Sequence, residues 1–288
     1  YSLMHDTNSG DFFTAGGDGL VARWRLEVGT DATLAARVAD NIYSMLPWPD
    51  GACLLLGTHT GGLHLIDLEN NQELHLYRRN PAPLFAMAWS QGHLFVAHGD
   101  GMLSRWSRGR DNDLLLDFHQ RAAGAALRCL AVHPSERLVA VGSSDHSIRL
   151  LDREGKEQMT LTGHANSVFS LLWLAGGKYL LSGSRDAHLA VWETSSGKLL
   201  EKIPAHLFTI NHLLHLPELG IIASAGRDKA IKLWDDKSLE LLKVADYDKF
   251  PGQAHSHSVN KLAWDSAKNR LWSVGDDRKT IVWKLEVE

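Results

Sequence analysis

Ser182-Gly-Ser-Arg-Asp-Ala-His-Leu-Ala-Val-Trp192, Ser224-Ala-Gly-Arg-Asp-Lys-Ala-Ile-Lys-Leu-Trp234 and Ser273-Val-Gly-Asp-Asp-Arg-Lys-Thr-Ile-Val-Trp283 are versions of one unit, in which an Asp stands six residues before a Trp. Ala15-Gly-Gly-Asp-Gly-Leu-Val-Ala-Arg-Trp24 and Ala97-His-Gly-Asp-Gly-Met-Leu-Ser-Arg-Trp106 keep that spacing. Two weaker copies fill the gaps: Val141-Gly-Ser-Ser-Asp145 leads to Leu151-Asp152, and Leu56-Gly-Thr-His-Thr60 leads to Ile66-Asp67. The unit therefore occurs seven times, ending near Trp24, Ile66, Trp106, Leu151, Trp192, Trp234 and Trp283, at intervals of 42, 40, 45, 41, 42 and 49 residues. A fixed period of this size marks a repeat architecture.

Within each copy an alternating apolar run, a Gly/Asp turn and a second alternating run make a hairpin. Another apolar run precedes it, as in Val168-Phe-Ser-Leu-Leu-Trp173. Each period is thus a small antiparallel sheet that cannot bury both faces alone. Stacking seven of them radially into a closed ring buries the faces and leaves few edges. The expected fold is all-β, a seven-bladed β-propeller of four-stranded antiparallel blades, with residues 1–288 forming a single domain.

The Gly163-His164 dipeptide, the turn Asp and the closing Trp-Asp or Trp-Glu resemble the WD-repeat β-propellers, and the resemblance covers essentially the whole chain. It implies a buried polar cluster in which a His before the first strand, a Ser or Thr on the second, the turn Asp and the Trp satisfy one another's hydrogen bonds. By position the clusters are His164/Ser182/Asp186/Trp192, His206/Ser224/Asp228/Trp234 and His255/Ser273/Asp277/Trp283. Thr14, Asp18 and Trp24 supply an incomplete one, while Leu56, Val96 and Val141 occupy the hydroxyl position in blades two, three and four, which are expected to lack the network. Family members commonly close the ring with an N-terminal strand. Only Lys284 to Glu288 follow Trp283, so the last outer strand is expected from residues upstream of Tyr1, in keeping with an opening that shows no start signal.

Composition narrows the function classes. Thirty Lys and Arg against 34 Asp and Glu give a net charge of −4 with no run of like charges, which argues against a nucleic-acid arm or a polybasic membrane surface. No apolar run approaches the length of a membrane helix. Cys53 and Cys129 each sit in an apolar stretch and read as buried free thiols in a reducing, cytoplasmic setting.

The sixteen histidines suggest metal or catalytic chemistry, yet His164, His206 and His255 are accounted for by the clusters. His255-x-His257 lacks a third ligand fixed by sequence, and His59, His98, His146 and His188 fall in or near hairpin turns. No nucleophile elbow and no phosphate-cradling loop is present. The turn carboxylates recur once per blade, as architecture does and an acid/base dyad does not. No cofactor, metal or catalytic residue is assigned.

Fold does not fix function, so the loops are read for a partner site. In the family, partners dock where the loops before the first strand and between the second and third strands meet. Carried onto this chain, the contact position on each first strand is Tyr1, Tyr43, Phe85, Arg128, Phe169, Asn211 and Asn260, while Arg185 and Arg227 precede turn carboxylates. Aromatic and Arg side chains are enriched at binding hot spots. Tyr1, Tyr43, Phe85, Arg128, Phe169, Arg185 and Arg227 are therefore the expected contacts for a protein or peptide with hydrophobic anchors and acidic neighbours. Extra chain at Ala245–Ala254 and around Phe118–Ala125 is expected to project onto the same face.

The resulting expectation is a non-enzymatic scaffold, a monomeric propeller working within a complex, with no nucleic-acid or membrane partner. The alternatives are a small-ligand or metal-dependent enzyme site in the channel mouth, using His59, His98 or His257, and a propeller domain of a larger multidomain protein.

Overall fold

The computed structural model describes residues 2–7, 9–25, 32–110 and 112–285. Seven antiparallel sheets follow one another along the chain, each built by short hairpin connections. The first comprises β1 (Ser2–His5), β2 (Phe12–Ala15), β3 (Leu20–Trp24) and β4 (Ala32–Arg37). The second comprises β5 (Ile42–Pro47), β6 (Cys53–Thr58), β7 (Gly62–Asp67) and β8 (Gln72–Arg78). The third is β9 (Leu84–Ser90), β10 (His93–His98), β11 (Met102–Arg108) and β12 (Leu114–Arg121). The fourth is β13 (Leu127–Val132), β14 (Leu138–Ser143), β15 (Ile148–Asp152) and β16 (Glu157–Leu161). The fifth is β17 (Val168–Leu174), β18 (Tyr179–Ser184), β19 (His188–Glu193) and β20 (Leu199–Pro204). The sixth is β21 (Ile210–Leu216), β22 (Ile221–Gly226), β23 (Ile231–Asp235) and β24 (Leu241–Ala245). The seventh holds β25 (Val259–Asp265), β26 (Arg270–Gly275) and β27 (Thr280–Lys284), with β27 at its outer edge among the described residues.

The architecture is a seven-bladed β-propeller. First strands neighbour one another in sequence order, and β1 touches both β5 and β25, so the ring closes around a central channel. The repeat-ending positions from Trp24 to Trp283 all fall on third strands. In six sheets a fourth strand drawn from the following sequence completes the blade.

Second strands are buried along nearly their whole length because both faces meet neighbouring blades; Cys53–Thr58 is covered throughout. Fourth strands alternate exposed and half-buried residues, as peripheral strands do. At the seam between blades one and seven, Leu3 and Phe12 pack with Ala263, Trp272 and Val274. The Phe12 ring stacks on Trp272 at 4.1 Å.

The tight turn between second and third strands has the same geometry in all seven blades. The residue at or just after the turn carboxylate position is followed by one with positive φ: Gly19, Gly61, Gly101, His146, Ala187, Lys229 and Arg278. At Gly19 and Gly61 a Cβ would lie within about 2 Å of the Val38 or Asn80 carbonyl oxygen, so those two blades require glycine.

Two expectations about local structure are corrected. Phe118–Arg121 belong to β12, which lengthens to eight residues, instead of forming a projecting loop. Phe118 packs edge-on against Phe95 and beneath the Arg105 guanidinium, so the added chain went into a longer strand with an apolar face. Blade three is not without a polar network, as described below.

Candidate functional site

Three blades contain the same hydrogen-bonded chain. In blade five the Trp192 indole N–H donates to Ser182 Oγ at 2.8 Å, that hydroxyl lies 2.7 Å from His164 Nε2, and His164 Nδ1 lies 3.0 Å from Asp186. The corresponding distances are 2.9, 2.8 and 2.8 Å through Trp234, Ser224, His206 and Asp228. Through Trp283, Ser273, His255 and Asp277 all three are 2.9 Å. With the ring proton on Nδ1, every proton in the chain has an acceptor. Each carboxylate also accepts a backbone N–H, from Ala165, Leu207 or Ser256, which ties the loop before the first strand to the hairpin turn. Burial works against the charged form of Asp186, but hydrogen bonds from His164, the Ala165 N–H and Lys202 outweigh it and hold the carboxyl well below the usual range. Asp228 and Asp277 are lowered against burial in the same way by His206 and His255. In blade one, Trp24 donates to Thr14 Oγ1 at 2.9 Å.

Blade three rebuilds the network from other positions. Trp106 donates its indole N–H to Ser104 on its own strand at 2.9 Å, and His98 Nε2 meets the same hydroxyl at 2.8 Å. The serine has moved from the second strand to the third and the histidine from the loop to the second strand. Pattern matching at fixed positions misses this exchange; the signal was Ser104 two residues before Trp106. His98 is 3% exposed, and burial, with His119 beside it, pushes its ring down to about 4. It is therefore a core residue and not part of the channel mouth. In blade four Asp145 pairs with Arg149 at 2.9 Å in place of a His.

The channel mouth is built by a repeated backbone irregularity. In β5, β9, β13, β17, β21 and β25 the pairing with the second strand slips by one residue near the start of the strand. The residue left over is Tyr43, Phe85, Arg128, Phe169, Asn211 and Asn260, respectively. A β-bulge redirects the side chain of its extra residue. Here four of the six redirected side chains meet. Tyr43 stacks on Phe85 at 5.4 Å, and the Arg128 guanidinium stands 4.5 Å over Phe85 and 5.5 Å over Phe169. Arg128 Nε donates to Ser144 at 2.8 Å, and His59 approaches Tyr43 edge-on at 5.5 Å. Burial and the proximity of Arg185 weaken the hold of Arg128 on its proton. Asn211 bridges to Ser258 and the Val259 carbonyl, so it fastens two blades together. Tyr1 lies outside the described residues.

These aromatics border a cavity of about 150 Å³, whose walls also carry Arg128, His212 and Lys261 and, among the described residues, no Asp or Glu. A larger cleft of about 480 Å³ lies to one side, between Gly17-Asp18 and Arg37–Asn41. Arg185 and Arg227 are exposed on turns whose backbone N–H groups bond to Ser167 and Thr209 on the neighbouring loops. The second of those loops carries Leu207 and Phe208, 79% and 59% exposed, next to Arg227. Sequence reading passed over this pair, although two bulky apolar residues after His206, where blades five and seven have Ala165-Asn166 and Ser256-His257, were the available signal. In the segment 245–254, which links blade six to blade seven, Phe250 packs edge-on against Trp283 of blade seven at 6.2 Å, and Tyr247 is exposed. Both cysteines are free and buried, and burial pushes the Cys129 thiol up to about 12. Among the described residues no three His, Cys, Asp or Glu side chains converge as a metal site.

Fold and mouth together define a seven-bladed propeller stiffened by His–Ser–Asp–Trp chains. Residues 116–152, 155–193 and 197–235 each match the family described as WD domain, G-beta repeat. Three successive stretches of the chain are thus WD repeats in sequence, set within a ring of seven blades. It is 24% identical over 262 residues to actin-interacting protein 1 of Drosophila melanogaster, covering 85% of this chain and 42% of that protein. It is 31% identical over 119 residues to a p21-activated protein kinase-interacting protein 1-like protein of Xenopus laevis, covering 41% of this chain and 32% of that one. The chain thus spans less than half the length of either relative. The WD40 propeller domain of Doa1 superposes with a TM-score of 0.83 at 18% identity, over 96% of this chain and 89% of that domain.

Proposed function

We propose that the channel-mouth face binds a protein or peptide partner, and that the propeller acts as a non-enzymatic scaffold within a complex. One observation carries this reading: six first strands are bulged at the same residue, and the bulges bring Tyr43, Phe85, Arg128 and Phe169 together at the mouth. Aromatic and Arg side chains give large contact area for little loss of conformational entropy. Leu207 and Phe208, with Arg185 and Arg227, extend the surface outward and supply apolar anchors beside cations. A segment with hydrophobic side chains and acidic neighbours matches that combination. Two buried, unpaired cysteines fit a reducing compartment such as the cytoplasm.

The test is affinity capture from the native cell extract, comparing the protein with a Tyr43→Ala/Phe85→Ala/Phe169→Ala variant that still melts cooperatively. Loss of a specific partner from the variant alone supports the mouth as the interface. Recovery of the same partners by both proteins places binding on another surface and sinks the assignment.

A further inference from the structure

The residue following the bulge occupies an equivalent place on each of the six bulged first strands. It is Ser44 on β5, Ala86 on β9, Cys129 on β13 and Ser170 on β17, but His212 on β21 and Lys261 on β25. The small residues fit because the second strand offers little bulk opposite them. Ser44, Cys129 and Ser170 pair with Gly57, Gly142 and Gly183, where an added Cβ would stand 2.3, 2.5 and 2.5 Å from the Ser or Cys heteroatom. His212 and Lys261 instead face Ala225 and Val274, which fill that slot, and both side chains line the central cavity.

Lys261 there has no ion-pair partner and no hydrogen-bond acceptor among the described residues, although an ammonium group carries three donors. Arg128 uses Nε for Ser144 and stacks between two aromatic rings, but its terminal nitrogens have no carboxylate partner among the described residues. Ser170 Oγ is buried with no hydrogen-bond partner. Two cations, an imidazole and an unsatisfied hydroxyl thus share a cavity of about 150 Å³ whose wall contains no acidic side chain among the described residues. Charges withdrawn from water without a counter-charge are costly, and an anion in the cavity would offset that cost.

We propose that the central channel is a binding site for an oxyanion, a carboxylate or phosphate group held chiefly by Lys261 with Arg128. Desolvation in the channel weakens the hold of Lys261 and of His212 on a proton, which is the state a bound anion would relieve. The volume admits a small oxyanion with a few waters but not a nucleotide. The group is either a free inorganic ion or an acidic side chain inserted by a segment docked at the mouth. Only the second source rests on the partner-binding reading above.

The experiment uses protein labelled with 13C at lysine Cε, with the Lys261 resonance identified by its absence from a Lys261→Met variant. Inorganic phosphate is titrated at constant ionic strength, and in a separate arm an N-acetylated, C-amidated tripeptide, Phe-Glu-Phe, is compared with the same blocked form of Phe-Gln-Phe. The expected result is a saturable shift of the Lys261 signal with phosphate, with the Glu peptide, or with both. Phosphate alone identifies a free ion as the source, and the Glu peptide without the Gln peptide identifies a side chain. Calorimetric affinity for the effective probe should fall about tenfold or more in Lys261→Met and in Arg128→Met, the loss of a charged hydrogen bond. Lys249→Met, on the outlying loop, should leave it unchanged. No saturable shift with any probe, or undiminished affinity in a cooperatively melting Lys261→Met protein, overturns the proposal. The phosphate arm needs no partner, so failure of the docking reading leaves it standing.

Discussion

Trp192 and Ser182 lie on adjacent strands, 2.8 Å apart through the indole N–H and the hydroxyl, and the same hydroxyl receives His164 on its other side. Ser182 is fully buried, so the bond joins the core of blade five to the loop leading into it. Trp192→Ala should destabilise by about 3 kcal/mol or more through cavity formation and loss of the network. Ser182→Ala orphans two partners and should cost about 1–3 kcal/mol. Denaturant unfolding at fixed pH measures both, and an unchanged midpoint for either variant would remove the chain from the list of stabilising features.

Acid should attack the same chains. Asp186, Asp228 and Asp277 have folded-state carboxyls held below the ordinary value of 3.8, so the unfolded chain takes up protons first as the pH falls. Their stabilisation is complete above about pH 4 and is lost progressively below it, toward the folded values. Asp186→Asn should flatten that part of a stability-against-pH curve while lowering stability at neutral pH.

His98 titrates the other way round in charge but with the same slope. Its folded ring is pushed from 6.5 down to about 4 by burial, so the unfolded chain binds the proton first once the pH drops below 6.5. The stability it contributes is present at neutral pH and is lost as the pH falls from 6.5 toward about 4. His98→Gln should reduce the pH dependence in that window, and an unaltered slope in thermal melts would count against a neutral, buried His98.

Leu207 and Phe208 are exposed and make no core, so Leu207→Ser/Phe208→Ser should change stability by less than about 0.5 kcal/mol. If the mouth and its surround bind a partner as proposed, the same double substitution should weaken capture of that partner. Intact capture together with an unchanged melting temperature would confine binding to the bulge residues.

Among the described residues β27 is the outermost strand of blade seven, which has three strands where the other six have four. An exposed edge is a site for strand addition. We propose that a strand from sequence preceding Tyr1 pairs there, and adding native upstream residues should raise the melting temperature by several degrees. An unchanged melting curve would argue against this closure.

The repeated unit, with the Asp-to-Trp spacing in five copies and two weaker copies in the gaps, determined the fold on its own, because a period near 42 residues admits few ways of burying a small sheet. The resemblance to the WD-repeat propellers, not the spacing alone, pointed to the His164, His206 and His255 chains, and their hydrogen bonds are present at those positions. The blade-three exchange of Ser104 and His98 was out of reach: two arrangements that place a hydroxyl beside an indole are equally good in space and unlike in sequence. The convergence of Arg128 on Phe85 and Phe169 likewise depends on residues from three blades, more than 40 positions apart along the chain. Local pattern sets which strands form. Only closing the ring decides which redirected side chains meet, and it alone leaves Lys261 in a cavity without a counter-charge, because that juxtaposition arises from the packing of all seven blades around one axis.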